Sequence, residues 1–103
     1  MIEPIRYKIV VHKKVVTEDS KRFDEKTKEK IKAKIKELLT YHPEAVGKPL
    51  RFDLKEYRVL KIFNEYRIVY RVDRQKVIVF ILTVGIRRDE EVYREALRRL
   101  GEK

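Results

Sequence analysis

The chain changes its hydrophobic period several times, and each change marks an element. Ile5 to Val11 alternates, with Ile5, Tyr7, Ile9 and Val11 on one side and Arg6, Lys8 and Val10 on the other, the two-residue period of a half-buried strand. From Asp24 the spacing lengthens. Phe23, Thr27, Ile31, Ile35, Leu38 and His42 recur at three- and four-residue steps, while Lys26, Lys28, Lys30, Lys32, Lys34 and Lys36 fill the remaining surface. This predicts a long amphipathic helix, capped by Asp24, favoured by Glu25 at its positive end and stopped by Pro43. A shorter helical piece over Val16 to Arg22 precedes it, so the first third reads as a helical hairpin.

Pro43, Gly47 and Pro49 punctuate a loop, after which Tyr57 to Phe63, Tyr66 to Val72 and Lys76 to Val84 read as strands rich in Tyr, Val, Ile and Phe. Their links, Asn64-Glu65 and Asp73-Arg74-Gln75, are too short for crossovers and predict antiparallel hairpins. Val77 to Leu82 is apolar on both faces, which predicts a central strand covered on both sides or over most of its length. Asp89, Glu90 and Glu91 then open a helix that directs Val92, Ala96, Leu97 and Leu100 inward and Arg94, Arg98 and Arg99 outward, and Gly101 ends it. The predicted fold is a single α+β domain over residues 1–103: an antiparallel sheet of about four strands, an N-terminal helical hairpin and a C-terminal helix, with the helices covering one sheet face.

Composition narrows the chemistry. A chain of 103 residues, 43% apolar, suits one modest core. Its 27 Lys and Arg against 17 Asp and Glu give a net charge of +10, a field that attracts polyanions, either nucleic acid or an acidic protein. The absence of cysteine excludes disulfides and thiolate metal sites. The longest apolar run, Val77 to Leu82, is far short of the roughly 20 residues of a spanning helix, and the N-terminus alternates charge instead of forming a signal-peptide block. A soluble cytoplasmic protein without membrane contact is expected. Asn64 and Gln75 are the only side-chain amides, a composition resembling that of proteins from hot environments.

Most catalytic machinery has no basis here. His12 and His42 are 30 residues apart with no chelating spacing, and they read as structural. Ser20, the only serine, has neither a neighbouring base nor a Gly-rich elbow. With only Gly47, Gly85 and Gly101 there is no phosphate-cradling loop. Glu25, Glu29 and Glu37 share their helix with lysines and read as solvated ion-pair partners. What remains is arginine, lysine and tyrosine, which can orient and neutralise a phosphodiester with no cofactor or metal. In Tyr66 to Val72, Tyr66, Ile68, Tyr70 and Val72 form one face, so Arg67, Val69 and Arg71 form the other. If the helices cover the tyrosine face, Arg67 projects from the centre of an uncovered one.

Three stretches carry a resemblance to a known family: Tyr66-Arg67-Ile68-Val69-Tyr70, the strand Val77 to Leu82, and Gly85-Ile86-Arg87-Arg88 with Glu91-Val92-Tyr93. Together they are similar to the RelE/ParE toxin superfamily, the RelE branch most closely, from about Tyr66 to Leu100. The resemblance implies the toxin of a type II toxin–antitoxin system: a metal-independent endoribonuclease that cuts mRNA in the ribosomal A site by 2′-hydroxyl attack, held inactive by a small RelB-like antitoxin. It implies that Arg67 neutralises the scissile phosphate, that Arg87 stands near the leaving oxygen and that Tyr93 stacks on the substrate base. Arg58, Arg71 and Arg88 are further RNA-contact candidates. The family's lysine pair is not matched. Counting back from Arg67, its places hold Arg58 and Leu60, and Lys61 is the only lysine in Tyr57 to Phe63. A two-residue turn would pair Lys61 with Ile68 and drive its charge into the core, at a cost of several kcal/mol. A three-residue loop would pair it with Val69 and put it beside Arg67, and that register is expected, with Arg58 as the alternative. A ParE-like gyrase inhibitor and a non-catalytic basic RNA- or protein-binding module use the same fold.

Overall fold

Two left-handed residues decide how the sheet turns back on itself. In the computed structural model, which describes residues 5–86 and 89–101, Phe63 and Asn64 take φ of 52° and 58°, and the Glu65 N–H donates to the Ile62 carbonyl at 3.1 Å. Tight hairpins ask for this conformation at their central residues, and Asn accepts it readily. The turn joins β3 (Tyr57–Ile62) to antiparallel β4 (Tyr66–Asp73), with Ile62 opposite Tyr66 and Lys61 opposite Arg67. The sequence reading pairs Lys61 with Val69. The observed register differs by two residues, which preserves parity and keeps Lys61 on the face of Arg67.

The next turn is strained. Val77 has φ of 56°, so β5 (Ile78–Ile86) starts two residues later than the expected Lys76. A β-branched residue in this region is an outlier, and left-handed backbone costs an L-residue roughly 1–2 kcal/mol. Val77→Asn is therefore expected to raise stability by about 1 kcal/mol, read as a higher denaturation midpoint with an unchanged slope.

The sheet is mixed and has five strands in the order β1-β5-β4-β3-β2, which corrects the expectation of about four antiparallel ones. β1 (Lys8–Val11) runs parallel to β5, and β2 (Lys48–Pro49) is a two-residue edge. The long connection makes parallel pairing possible, because α1 (Lys13–Thr17), α2 (Glu25–Leu39), β3 and β4 all intervene before β5. The expected N-terminal hairpin is replaced by the five-residue α1, a 3-10 turn over Asp19–Arg22 and then α2. Asp24 caps α2 as expected, accepting the Thr27 N–H at 2.7 Å, and that bonding holds its carboxyl below the usual carboxylate range. α2 ends at Leu39, which is fully buried, while Leu38 is half-buried and His42 is exposed.

Helices lie on both faces of the sheet, not on one. Ile31, Ile35 and Leu39 of α2 pack on Leu60, Ile62, Ile68, Tyr70, Val79 and Ile81. On the other side, Val92 and Ala96 of α3 (Asp89–Leu100) pack on Leu54, Tyr57, Val59, Val69 and Leu82. β3 places apolar side chains on both faces, Tyr57 and Val59 on one and Leu60 and Ile62 on the other, and β5 has no polar face, so a single helical layer would leave one set exposed. β5 occupies the expected central place between β1 and β4. Among the described residues, no helix is long and apolar enough to cross a membrane.

Candidate active site

A bulge in β5 builds the face on which the candidate residues lie. Tyr70 is opposite Ile81 and Val69 opposite Thr83, leaving Leu82 as an extra residue. The parity of β5 flips there, so Ile81 and Val84 both face α2, and Gly85 turns towards α3. A side chain at Gly85 would overlap that of Val92, so the missing Cβ lets the first turns of α3 close on the sheet. Gly85 is also the cross-strand partner of Arg67. One row across three strands therefore reads Lys61, Arg67, Gly85, with Tyr93 one residue beyond the side chain that packs over its glycine end.

The geometry corrects the expected projection of Arg67 from an uncovered face. Arg67 is only 8% exposed and its Nη1 lies 3.5 Å from the Tyr66 carbonyl. It lies on the sheet face that carries α3, opposite Gly85, while Lys61 at the neighbouring position is exposed. Opposed residues on adjacent strands hold their Cβ atoms about 5 Å apart, and like charges so placed repel. A row of two cations breaks a local rule of sheet pairing, and such breaks concentrate at functional positions. Tyr93 is half-buried and packs against the apolar cluster that Leu54, Val59, Val69 and Leu82 form with Val92 and Ala96.

The other candidates separate. Arg58 is on the opposite face, paired with Tyr70, and donates from Nε to the Val46 carbonyl at 3.3 Å and from Nη2 to the Gly47 carbonyl at 3.1 Å. It holds the loop before β2 and does not join Lys61 and Arg67. Tyr70 is held by the same loop, its hydroxyl 2.7 Å from the Pro43 carbonyl and 2.8 Å from that of Val46. Burial raises its pKa, with Arg58 acting against the shift. Arg71 shares the face of Arg67 but sits four residues along β4, roughly 13 Å away at strand rise, in a cleft with His12, Tyr57 and Phe80. Arg87 and Arg88 lie outside the described residues. His12 is structural, its Nδ1 accepting the Lys14 N–H at 3.0 Å to cap α1. Among the described residues, no group of three His, Asp or Glu is placed to hold a metal.

Sequence reasoning missed an ion pair beside this face. Arg99, expected to point outward, is 1% exposed. Its Nη1 and Nη2 donate to the two carboxylate oxygens of Asp19 at 2.7 Å each, its Nε donates to Glu95 at 2.9 Å, and Nη1 also reaches the Leu82 carbonyl at 3.0 Å. Asp19 in turn accepts the Val84 N–H at 2.9 Å. The cause is topological: β1 ends opposite Ile81, and beyond that point the carbonyl of Leu82 and the N–H of Val84 are met by these two side chains. Burial opposes the charge of Arg99, but the hydrogen bonds and charges of Asp19 and Glu95 outweigh it and hold its pKa above the ordinary value. The missed signal was helical spacing, since Val92, Ala96 and Arg99 lie on one stripe and Leu97 is off it, 44% exposed.

A family described as the ParE toxin of type II toxin–antitoxin systems matches residues 10–91. The mRNA interferase toxin RelE of Escherichia coli is 37% identical over 73 residues, 71% of this chain and 76% of the relative. The chain belongs to the RelE/ParE toxin superfamily. Among solved structures, the RelBE2 toxin–antitoxin complex of Mycobacterium tuberculosis superposes with a TM-score of 0.74 at 25% identity, covering 84% of this chain and 98% of that one. An arginine-to-alanine mutant of E. coli RelE bound to an antitoxin RelBc peptide gives a TM-score of 0.64 at 29% identity, covering 88% and 94%. These RelE-like structures match the fold as found, with its mixed sheet. The family match takes in Lys61, Arg67 and Gly85 of this RelE/ParE toxin and stops two residues short of Tyr93.

Proposed function

We propose that this protein is the toxin of a type II toxin–antitoxin pair and cuts mRNA in the ribosomal A site, restrained by a RelB-like antitoxin. The observation that carries the reading is the Lys61–Arg67 pair on the α3 face of a chain in this superfamily. In the proposed reaction the substrate's 2′-oxygen bonds to the adjacent phosphorus and the bond to the 5′-oxygen breaks, giving a cyclic phosphate and a 5′-hydroxyl. Arg67 neutralises the phosphate from below, Lys61 in its deprotonated amine form accepts the 2′ proton, the leaving oxygen is stabilised by Arg87 and takes its proton from solvent water, and Tyr93 stacks on the base. Two cations and no histidine give a site that works mainly by charge and position.

The test is to map mRNA ends after incubation with programmed ribosomes, using wild type, Arg87→Ala and Tyr93→Ala. Cuts that need ribosomes and fade in both variants are expected. The ParE description of the matched family favours a second reading, a gyrase inhibitor; intact mRNA with blocked DNA supercoiling would establish that one instead. Lys61→Thr is expected to slow cleavage at least tenfold while raising stability by roughly 0.2–1 kcal/mol, because it removes one of two opposed like charges. A slower but less stable variant would mean that Lys61 is chiefly structural.

A further inference from the structure

Phe52 is the most exposed large apolar side chain described, at 88%, and it has φ of 58°. Left-handed backbone at a bulky residue is unfavourable, and such strain collects where a side chain is held for a ligand. Phe52 opens a 3-10 turn (Phe52–Leu54) whose Leu54 is anchored in the core beneath α3. The anchor fixes the turn while leaving the ring in solvent. Phe52 lines a cleft of about 410 Å3 together with Leu50, Arg51, Asp53, Tyr93 and Leu97, within the range of small-ligand pockets.

Resting on the ribonuclease reading above, we infer that this cleft is a second nucleobase site, in which Phe52 stacks on a base of single-stranded RNA flanking the nucleotide at Tyr93. Continuity argues for RNA over other occupants, because Tyr93 belongs both to the candidate active site and to the cleft wall. Charge argues the same way, since Arg51 in that wall and Lys48 and Lys55 in the flanking sequence are exposed and outnumber the exposed Asp53 and Glu56. An aromatic face beside cations is the usual equipment for gripping single strands without reading their sequence. Asp53, an acceptor when ionised, suits the N–H groups of a base edge.

The experiment uses the isolated full chain and a hexaribonucleotide carrying 2-aminopurine, whose fluorescence is quenched on stacking. Phe52→Trp is expected to retain affinity and quenching. Phe52→Ala and Phe52→Leu are both expected to weaken binding about tenfold and lose most of the quench, with circular dichroism unchanged; the leucine variant keeps apolar surface but has no π face. The inference is overturned if wild type leaves the probe unquenched, if Phe52→Leu behaves as wild type, or if Phe52→Ala weakens only an acidic antitoxin peptide and leaves RNA binding intact. Cleavage on ribosomes separates the two readings. Arg67→Ala inactive with Phe52→Ala fully active and equally tight for RNA would remove the second base site and leave the nuclease standing. Stacking that depends on Phe52 in a protein that never cuts mRNA would do the reverse.

Discussion

Asp19→Ala is expected to lower the stability of this protein by about 3–5 kcal/mol, the usual consequence of removing one partner from a buried ion pair. Three losses add up. Among the described residues the guanidinium of Arg99 keeps only Glu95 as a carboxylate partner, the Val84 N–H loses its acceptor, and the 3-10 turn at Asp19–Arg22 is detached from α3. For a domain of this size each kcal/mol is worth about 4–8 °C, so the melting temperature should fall by roughly 12–40 °C. Asp19→Leu with Arg99→Met should recover much of the loss, because an apolar replacement of both partners leaves no buried charge behind. A drop of only a few degrees for the single variant would show that the pair is solvated in solution and that α3 is held by Val92 and Ala96 alone.

Arg67→Ala should reduce ribosome-dependent cleavage by about 10²- to 10³-fold, the scale on which removing one preorganised charge-stabilising donor acts. The side chain sits in the middle of the row, with Lys61 on one side and Gly85, covered by the side chain of Val92, on the other. Arg67→Lys should recover part of the activity, because it restores the charge without the planar fork that can hold two phosphate oxygens. Both variants should melt within a few degrees of wild type, because the row is tied to the backbone by the pairing of β3, β4 and β5. Full cleavage by Arg67→Ala would place the chemistry elsewhere on the chain.

Much of the fold was legible because each element repeats its own period. Asp24 capping α2, the apolar β5 as an interior strand and the shared face of Lys61 and Arg67 all follow from local spacing and from the cost of burying an ammonium. What escaped was decided between distant segments. The parallel pairing of β1 with β5 leaves no local mark, and neither does the bulge at Leu82 that turns Gly85 towards α3. Arg99 misled because charge was taken to mean exposure, although its place on the Val92–Ala96 stripe was plain. Phe52 escaped because nothing in its neighbours foretells a left-handed backbone. At the candidate site, the sequence supplied the residue types and the hairpin supplied the row, while the closure of Val92 over Gly85 is a contact between distant elements.

The central claim is that the row of Lys61 and Arg67 acts on an RNA phosphodiester through the substrate's own hydroxyl. It is tested most directly by programming ribosomes with two mRNAs that differ only in a 2′-deoxy sugar at the mapped cut. Wild type should cleave the all-ribose message to a 2′,3′-cyclic phosphate and leave the deoxy-substituted message intact at that position. Equal cleavage of both, or cleavage of neither alongside inhibition of DNA supercoiling, would contradict it.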